Sequence, residues 1–201
     1  DSSPDANIEF KTYQNSTDTY TARWKILYNG ALINTDSSAP ANIAMASGTG
    51  IQFTDAGGSG TSTSNTLDSY EEGTFTPNLT GTGGAFSGAT YGAQSGKYTK
   101  VGDTVTVFVH IVASAVVGGS GALAVGNLPF AANSACGAAI GYISGLNYDD
   151  NTYNQVGLYM TTSGGSQIIF VASGDNVGAA EIAVGGFTSN FNCVFTATYK
   201  T

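Results

Sequence analysis

Apolar and polar residues alternate along much of this 201-residue chain, and the alternation is clearest in residues 104–115. Every second position there is apolar, which places one row on one face of a β-strand: Val105, Val107, Val109, Ile111 and Ala113. The opposite face carries Phe108, His110 and Val112, so this strand is apolar on both faces near its middle. Such a strand packs one face in its own domain and the other against a second subunit. We therefore predict that Phe108 and His110 lie in a subunit interface.

Further segments of the second part of the chain have the length and composition of strands. They are residues 75–80, 122–128, 135–144, 156–161, 167–172, 180–184 and 191–200. Turn-forming residues separate them at about the 8–12-residue spacing that is typical of β-sandwiches and barrels. No segment shows the apolar period of a helix. The pattern predicts an all-β fold, with a jelly-roll-like β-sandwich head over residues 67–201.

Residues 1–66 are predicted to form a separate region, an extended β-hairpin shaft followed by a linker. Apolar side chains take alternate positions before Asn29-Gly30, a pair that favours a type I′ turn, and they are Tyr20, Ala22, Trp24, Ile26 and Tyr28. A return strand at 31–33 follows this turn, and residues 8–13 form a further strand. Too few apolar residues are present for an independent core. We predict that neighbouring subunits cover this hairpin and that Trp24 is buried between them.

Residues 55–66, with the sequence DAGGSGTSTSNT, have almost no apolar side chain. Gly, Ser and Thr in this proportion are typical of a linker. Two interpretations stay open, namely a flexible surface loop and an extended strand wrapped around a shaft.

Composition excludes several classes of protein. Charged residues make up 10% of the chain, against roughly 25% in an ordinary soluble domain. The net charge is −8 and the six Lys and Arg residues are scattered, so no basic patch is available for nucleic acid. No apolar run approaches the ~20 residues of a membrane helix, and we expect no membrane insertion. The 11 Tyr and 10 Phe residues favour β structure.

The residues that carry chemistry are sparse, and we predict no enzymatic activity and no cofactor. His110 is the single histidine, and we interpret it as a core or interface residue, with three copies binding a metal on a trimer axis as the less favoured alternative. Glu71-Glu72 and Asp149-Asp150 are adjacent pairs, and neighbours on a strand point to opposite faces, unlike the carboxylates of a glycosidase. Cys136 and Cys193 alternate with apolar residues, which favours buried thiols, and a disulfide stays open.

One polar loop is the best candidate for contact with a ligand. Tyr148 and Tyr153 flank three hydrogen-bonding residues, Asp149, Asp150 and Asn151. Aromatic faces beside polar groups suit sugars, which present C–H faces and hydroxyls, and tyrosines dominate many adaptable binding surfaces. The alternative interpretation is a solvated turn. Two Gly-rich tips, at residues 117–121 and 163–166, are rival candidates.

Several motifs resemble one family of viral proteins. LDSYEEGTFTPNLTG at 67–81 and YGAQSGKYTKVGDTVTVFV at 91–109 resemble the C-terminal receptor-binding domain of bacteriophage tail fibre and tail spike proteins. GALAVGNLPF at 121–130 and FTATYK at 195–200 also resemble that domain. Upstream, IEFKTYQN and RWKILYNGAL resemble the repeated strand-turn units that carry such fibres.

The resemblance implies a homotrimeric adhesin attached to the rest of a phage tail, located on the virion and extracellular when it functions. Its expected partners are a bacterial surface polysaccharide, lipopolysaccharide or an outer-membrane protein. Two alternatives stay open. One is a structural virion decoration, such as a capsid or baseplate fibre, that binds no receptor. The other is a polysaccharide depolymerase spike, although such spikes usually carry a long parallel β-helix that this chain is too short to include.

Overall fold

The computed structural model describes residues 69–148, 152–160 and 165–201, together with the backbone of five short strands that precede them. Residue contacts divide the chain into two units, Asp1–Ser47 and Gly48–Thr201. The domain boundary between residues 66 and 67 stays a prediction.

The described part of the first unit is an antiparallel sheet. Its strands, in pairing order, are β1 (Ile8–Gln14), β2 (Thr19–Ile26) and β3 (Leu32–Asn34). Ile26 pairs with Leu32, so the chain reverses between β2 and β3 as the Asn29-Gly30 pair predicts. The turn residues themselves lie outside the described residues. Trp24 lies in β2, but its side chain is also outside the described part of the structure, so its burial between subunits stays a prediction.

The second unit contains a pair of short strands and one large antiparallel sheet. The short strands are β4 (Ile51–Gln52) and β5 (Thr66–Leu67). The ten strands of the large sheet are β6 (Tyr70–Phe75), β7 (Asn78–Gly81), β8 (Gly84–Val101), β9 (Thr104–Ser120), β10 (Leu123–Gly126), β11 (Cys136–Leu146), β12 (Gln155–Met160), β13 (Ile168–Gly174), β14 (Val177–Glu181) and β15 (Phe187–Lys200). The described helical residues are confined to a 3-10 turn at Val184–Gly186. The all-β prediction is confirmed.

The large sheet curls on itself. Its strands pair in the order β6-β8-β9-β15-β11-β12-β13-β10-β7, and β14 pairs with β13 beside this path. Strand β7, at one end of the order, returns to β8 near the other end, where the Leu79 amide donates to the Tyr91 hydroxyl at 2.9 Å. The Gln94 side-chain amide also donates to the Pro77 carbonyl at 2.9 Å. The two layers of the head therefore belong to one continuous sheet, shaped like a half-barrel.

The core fills the inside of this curl. The predicted inward row of β9, from Val105 to Ala113, has no solvent exposure, and the alternating residues of β15 pack beside it. Phe191 of β15 contacts Phe170 of β13 edge to face, with ring centroids 5.8 Å apart. Aromatic pairs of this geometry add to the free energy gained from burial. The alternation read from β9 thus marks the inner face of the sheet.

Some predicted strands differ from the observed ones. Residues 75–80 are not one strand, because β6 ends at Phe75 and β7 begins at Asn78. Pro77 lies between them and has no N–H to donate to a ladder, which explains the interruption. The longest strand, β8, was absent from the predicted set. It holds many Gly, Ala, Ser and Thr residues, so its apolar alternation is weak.

Both cysteines are free thiols, which answers the open question of a disulfide. Cys193 is fully buried and Cys136 is half-buried, as expected for small apolar residues. Within the described residues, no helix is long and apolar enough to cross a bilayer.

Candidate functional site

The predicted receptor loop is anchored to the sheet at both described ends. The Asn147 amide donates to the Gly186 carbonyl at 2.7 Å, and the Asn154 amide donates to the Ser173 carbonyl at 3.0 Å. At the first anchor a Cβ on Gly186 would come within 2.8 Å of the Asn147 carbonyl oxygen, so glycine permits the close approach. The two tyrosines of the loop are therefore held in place by backbone contacts.

Tyr148 and Tyr153 line one small pocket, which we call the tyrosine pocket. Its volume is about 190 Å³, and it is lined by Asn147, Tyr148, Tyr153, Ala172, Ala180, Glu181, Ile182, Ala183 and Gly186. Small side chains from the paired strands β13 and β14, Ala172 and Ala180, leave space between the aromatic residues and the sheet. Both tyrosines are half-buried and pack against the core. The structure thus brings together the two aromatic residues that the sequence singled out.

The tyrosine pocket has one described carboxylate among its lining residues. Glu181 accepts a hydrogen bond from the Tyr159 hydroxyl at 2.5 Å. This bond raises the pKa of the Tyr159 hydroxyl, because ionisation would place two negative charges side by side. Sequence reasoning missed Glu181 and its neighbours in the pocket. They follow the loop by some thirty positions, and only the β13-β14 pairing brings them near it.

The remaining predicted contact residues fall into two groups. Asp149, Asp150 and Asn151 lie outside the described residues, as do positions 163 and 164 of the second Gly-rich tip. Residues 117–120 of the first tip are part of β9, where Val117 pairs with Gly88 of β8 and is 63% exposed. The first tip is therefore a strand end and not a free loop.

The outer face of β9 carries the predicted interface residues. Phe108 is 50% exposed and lies between Lys97 of β8 and Thr196 of β15. His110, two positions on, is half-buried between Ser95 and Val194. We call the exposed side of β9, β15 and β11 the outer face. Tyr142 of β11, opposite Val194, is 53% exposed.

The acidic pair Glu71-Glu72 is held by neighbouring tyrosines. The Tyr98 hydroxyl donates to Glu71, and the Tyr70 hydroxyl donates to Glu72 at 2.8 Å. These bonds raise the pKa of both tyrosines. The pair thus makes its contacts with tyrosines at the edge of the sheet. Among the described residues, no cluster of three or more His, Cys, Asp or Glu side chains is placed to hold a metal ion.

Comparison with known proteins gives one match at the level of structure. No protein-family model matches the chain, and no match is found among curated proteins. Among solved structures, the chain resembles the crystal structure of the Dettilon tailspike protein (gp208), with a TM-score of 0.50 and 17% sequence identity. The chain shares a fold with part of a tailspike. The match covers 65% of this chain and 24% of the tailspike chain, so it extends over about a quarter of that protein.

Proposed function

We propose that this chain is part of a bacteriophage tail spike or tail fibre, located on the virion, and that it recognises the surface of the host cell. The shared fold with part of the Dettilon tailspike protein is the observation that carries this proposal. The motifs at 67–81 and 91–109 support it independently, because they resemble tail proteins in sequence and not only in fold. In the structure these motifs form β6 and β7, which are the two ends of the strand order, and most of the β8-β9 hairpin.

The working form is a homotrimer that buries the outer face between subunits. Phe108 and Tyr142 expose about half of their surface in the isolated chain. Asn192, which pairs with Val112 of β9, has a buried side-chain oxygen with no hydrogen-bond partner among the described residues. Exposed apolar residues, together with a side-chain oxygen that lacks a hydrogen-bond donor, favour contact with a second copy of the chain.

The ligand of the tyrosine pocket is a sugar of the bacterial surface, from polysaccharide or lipopolysaccharide. An aromatic ring packs against the C–H face of a pyranose, and the adjacent polar groups bind its hydroxyls. Tyr148 and Tyr153 provide the rings, and Asn147 lies beside them. Asp149, Asp150 and Asn151 belong to the same loop by sequence, and we include them in the proposed contact surface.

The function is binding without cleavage. Each glutamate whose side chain the structure describes, Glu71, Glu72 and Glu181, accepts a hydrogen bond from a tyrosine hydroxyl. Hydrolysis of a glycoside needs one carboxyl group to protonate the leaving oxygen and a second to act across the sugar ring. Release of reducing ends from host polysaccharide is the direct test, and its detection would replace the adhesin proposal with a depolymerase.

Cell adsorption tests the tyrosine pocket. A variant carrying Tyr148→Ala and Tyr153→Ala loses both stacking surfaces, so we expect its adsorption to host cells to fall steeply. Avidity explains the size of the effect, because linked sites multiply affinity by factors of ~10²–10⁴ when they bind together. A loop variant with Asp149, Asp150 and Asn151 all changed to Ser should also adsorb more weakly.

The matched control is Tyr70→Ala, which removes a tyrosine that is 62% exposed and lies on β6, away from the pocket. Because Tyr148 and Tyr153 pack on the core, melting temperatures are measured for every variant, and adsorption is compared below the lowest of them. Equal adsorption of the pocket variant and the Tyr70 control would place the receptor surface elsewhere. A wild-type protein that adsorbs to no host cell or glycan would favour a structural virion decoration.

A further inference from the structure

A second cleft lies near the start of β13, whereas the tyrosine pocket lies towards its end. Its volume is about 420 Å³, and its lining residues are Thr76, Asn78, Thr80, Gln94, Gly126, Asn127, Ser166 and Gln167. Every lining side chain except Gly126 carries a hydroxyl or a carboxamide, and none is charged or aromatic. We call this site the amide cleft. It shares no residue with the tyrosine pocket.

Backbone contacts fix two of the carboxamides. The Asn127 side-chain nitrogen donates to the Thr76 carbonyl at 2.7 Å, and the Gln94 side-chain nitrogen donates to the Pro77 carbonyl at 2.9 Å. Each side-chain nitrogen thereby uses one of its two N–H donors, while neither oxygen accepts a hydrogen bond from the described residues. Asn127 adopts a left-handed backbone conformation with φ of 60°, which asparagine tolerates better than most residues. The side-chain oxygens of Gln94 and Asn127 are therefore available to accept hydrogen bonds from a ligand.

Asn78 adds a third acceptor. Its side-chain oxygen is buried and has no hydrogen-bond partner among the described residues. A buried acceptor without a partner lowers the free energy of unfolding, so a donor that reached this oxygen would stabilise the protein. Asn78 pairs with Gly126 across β7 and β10, and a Cβ on Gly126 would lie 2.9 Å from the Asn78 oxygen. A side chain at Gly126 would therefore press against the Asn78 carboxamide in the cleft lining.

The chemistry of the lining selects a neutral ligand with several hydroxyl groups. Hydroxyls donate to carboxamide oxygens and accept from Ser and Thr hydroxyls, whereas a charged group would lose hydration without gaining a counter-charge. The volume lies in the range of about 300–1,000 Å³ that is usual for small-ligand pockets. A pyranose ring with its hydroxyls meets these requirements.

We propose that the amide cleft binds a neutral sugar residue of a glycan through its hydroxyl groups. The proposal rests on the proposed function for the source of the sugar, and it adds a site that is separate from the tyrosine pocket. A glycan chain held at both sites is bound by hydrogen bonds in the cleft and by stacking in the pocket.

The test is titration of the full chain with single sugars, followed by saturation-transfer NMR. The neutral probes are glucose, galactose, mannose, rhamnose and N-acetylglucosamine, and glucuronic and galacturonic acids are the charged counterparts. We expect at least one neutral sugar to bind with a millimolar Kd, and the acids to bind at least about tenfold more weakly. Absence of neutral-sugar binding up to about 100 mM would overturn the proposal.

Two substitutions connect binding to the cleft. Gly126→Ala presses a methyl group against the Asn78 carboxamide in the cleft lining and should weaken binding by about tenfold or more. Its matched control is Gly178→Ala in β14, where an added Cβ meets no atom within 4 Å and the backbone needs no left-handed conformation. Asn78→Ala is the second variant. It removes a buried acceptor without a partner, so its melting temperature should be unchanged or raised while binding falls.

Sugar binding that stays unchanged in both Gly126→Ala and Asn78→Ala would overturn the proposal. Binding that is lost only in the variant of Tyr148 and Tyr153 would assign the sugar to the tyrosine pocket, leaving the proposed function intact. Conversely, a wild-type protein that binds a neutral sugar in the cleft but adsorbs to no host cell would support the cleft and contradict the proposed function.

Discussion

Cys193 and Tyr199 lie on the inner face of β15, where burial changes their acidity. Burial raises the pKa of the Cys193 thiol to about 12, and burial likewise raises the pKa of Tyr199 to about 12. The Tyr199 hydroxyl also donates to the Phe130 carbonyl at 3.1 Å. In the unfolded chain these groups ionise near 9 and 10. The folded protein therefore retains protons that the unfolded chain loses, and this difference stabilises the fold below about pH 9.

We predict that the free energy of unfolding falls as the pH rises from 9 towards 12. Cys193 alone contributes up to about 4 kcal/mol to this fall, because each unit of pKa difference corresponds to about 1.4 kcal/mol. Urea unfolding at a series of pH values measures the effect. Cys193→Ala should lower the stability at neutral pH through the cavity it leaves, but should show a shallower alkaline decline. Identical declines in the two proteins would contradict the assignment.

The β8-β9 hairpin depends on one left-handed position. Gly102 has a φ of 58° in the turn between the two strands, and an added Cβ there would meet no atom within 4 Å. The turn is held from outside, because the Gly102 amide donates to the Ser69 carbonyl at 2.8 Å. The Lys200 ammonium contacts the Asp103 carboxylate at 2.5 Å and lowers its pKa. The conformation of the turn, and not its packing, requires glycine.

Gly102→Ala is therefore expected to destabilise the protein by about 1–2 kcal/mol, the cost of a left-handed conformation for a residue with a Cβ. Gly178→Ala again provides the matched control, since it adds the same methyl group to open space at an ordinary φ. Chemical denaturation compares the two variants with wild type. A loss of stability in Gly178→Ala as large as that in Gly102→Ala would show that φ is not the cause.

The same hairpin shows which elements could be predicted from sequence. Strand β9 was predictable because its valines alternate strictly, and this alternation coincides with its inner face. Strand β8 was not, because Gly, Ala and Ser fill much of it and register shifts between Phe86 and Ala93 disturb the alternation. Its position in the sheet is set by its pairing with β9. The local preference of these residues for a strand is weak, so the contacts of the folded chain decide that they form one.

The two candidate sites differ in the same way. Tyr148 and Tyr153 lie five positions apart, so the sequence alone was enough to suggest a shared surface. The amide cleft draws residues from four segments, at 76–80, 94, 126–127 and 166–167. No spacing rule connects these segments. Curling of the sheet brings β7, β8 and β10 together, and a site of this kind becomes visible only in the folded chain.

The molecule as a whole combines low charge with an exposed apolar surface. Only 10% of the residues are charged, and the net charge is −8. Among the residues whose burial the structure describes, six large apolar residues are substantially exposed: Tyr70, Val101, Phe108, Val117, Tyr142 and Val177. Phe108 and Tyr142 lie on the outer face of the sheet near the half-buried His110. Exposed apolar surface of this kind favours association with another copy, which must outweigh the repulsion between chains of net charge −8.

We predict that the protein is a homotrimer in which Phe108 is buried by a neighbouring subunit. Light scattering should give three times the 20.4 kDa mass of one chain. Phe108→Thr introduces the residue type already present at Thr106 and Thr196, so the strand keeps its β preference while the contact loses its aromatic ring. The variant should shift towards the mass of one chain with an unchanged circular dichroism spectrum. Tyr70→Thr, at an edge strand, is the control and should remain a trimer.

This test separates the effect of Phe108→Thr on trimer formation from its effect on the fold of one chain. Phe108 points away from the core. Its replacement should therefore lower the stability of the isolated chain by far less than the roughly 3–5 kcal/mol that replacing a buried Phe costs. A trimer that persists in Phe108→Thr would move the interface to another surface, and Trp24→Ala then tests the N-terminal hairpin. A wild-type monomer at micromolar concentration would contradict the trimer itself. Host adsorption by that monomer would then have to arise without avidity, and the tyrosine pocket would need a much tighter intrinsic affinity for its sugar.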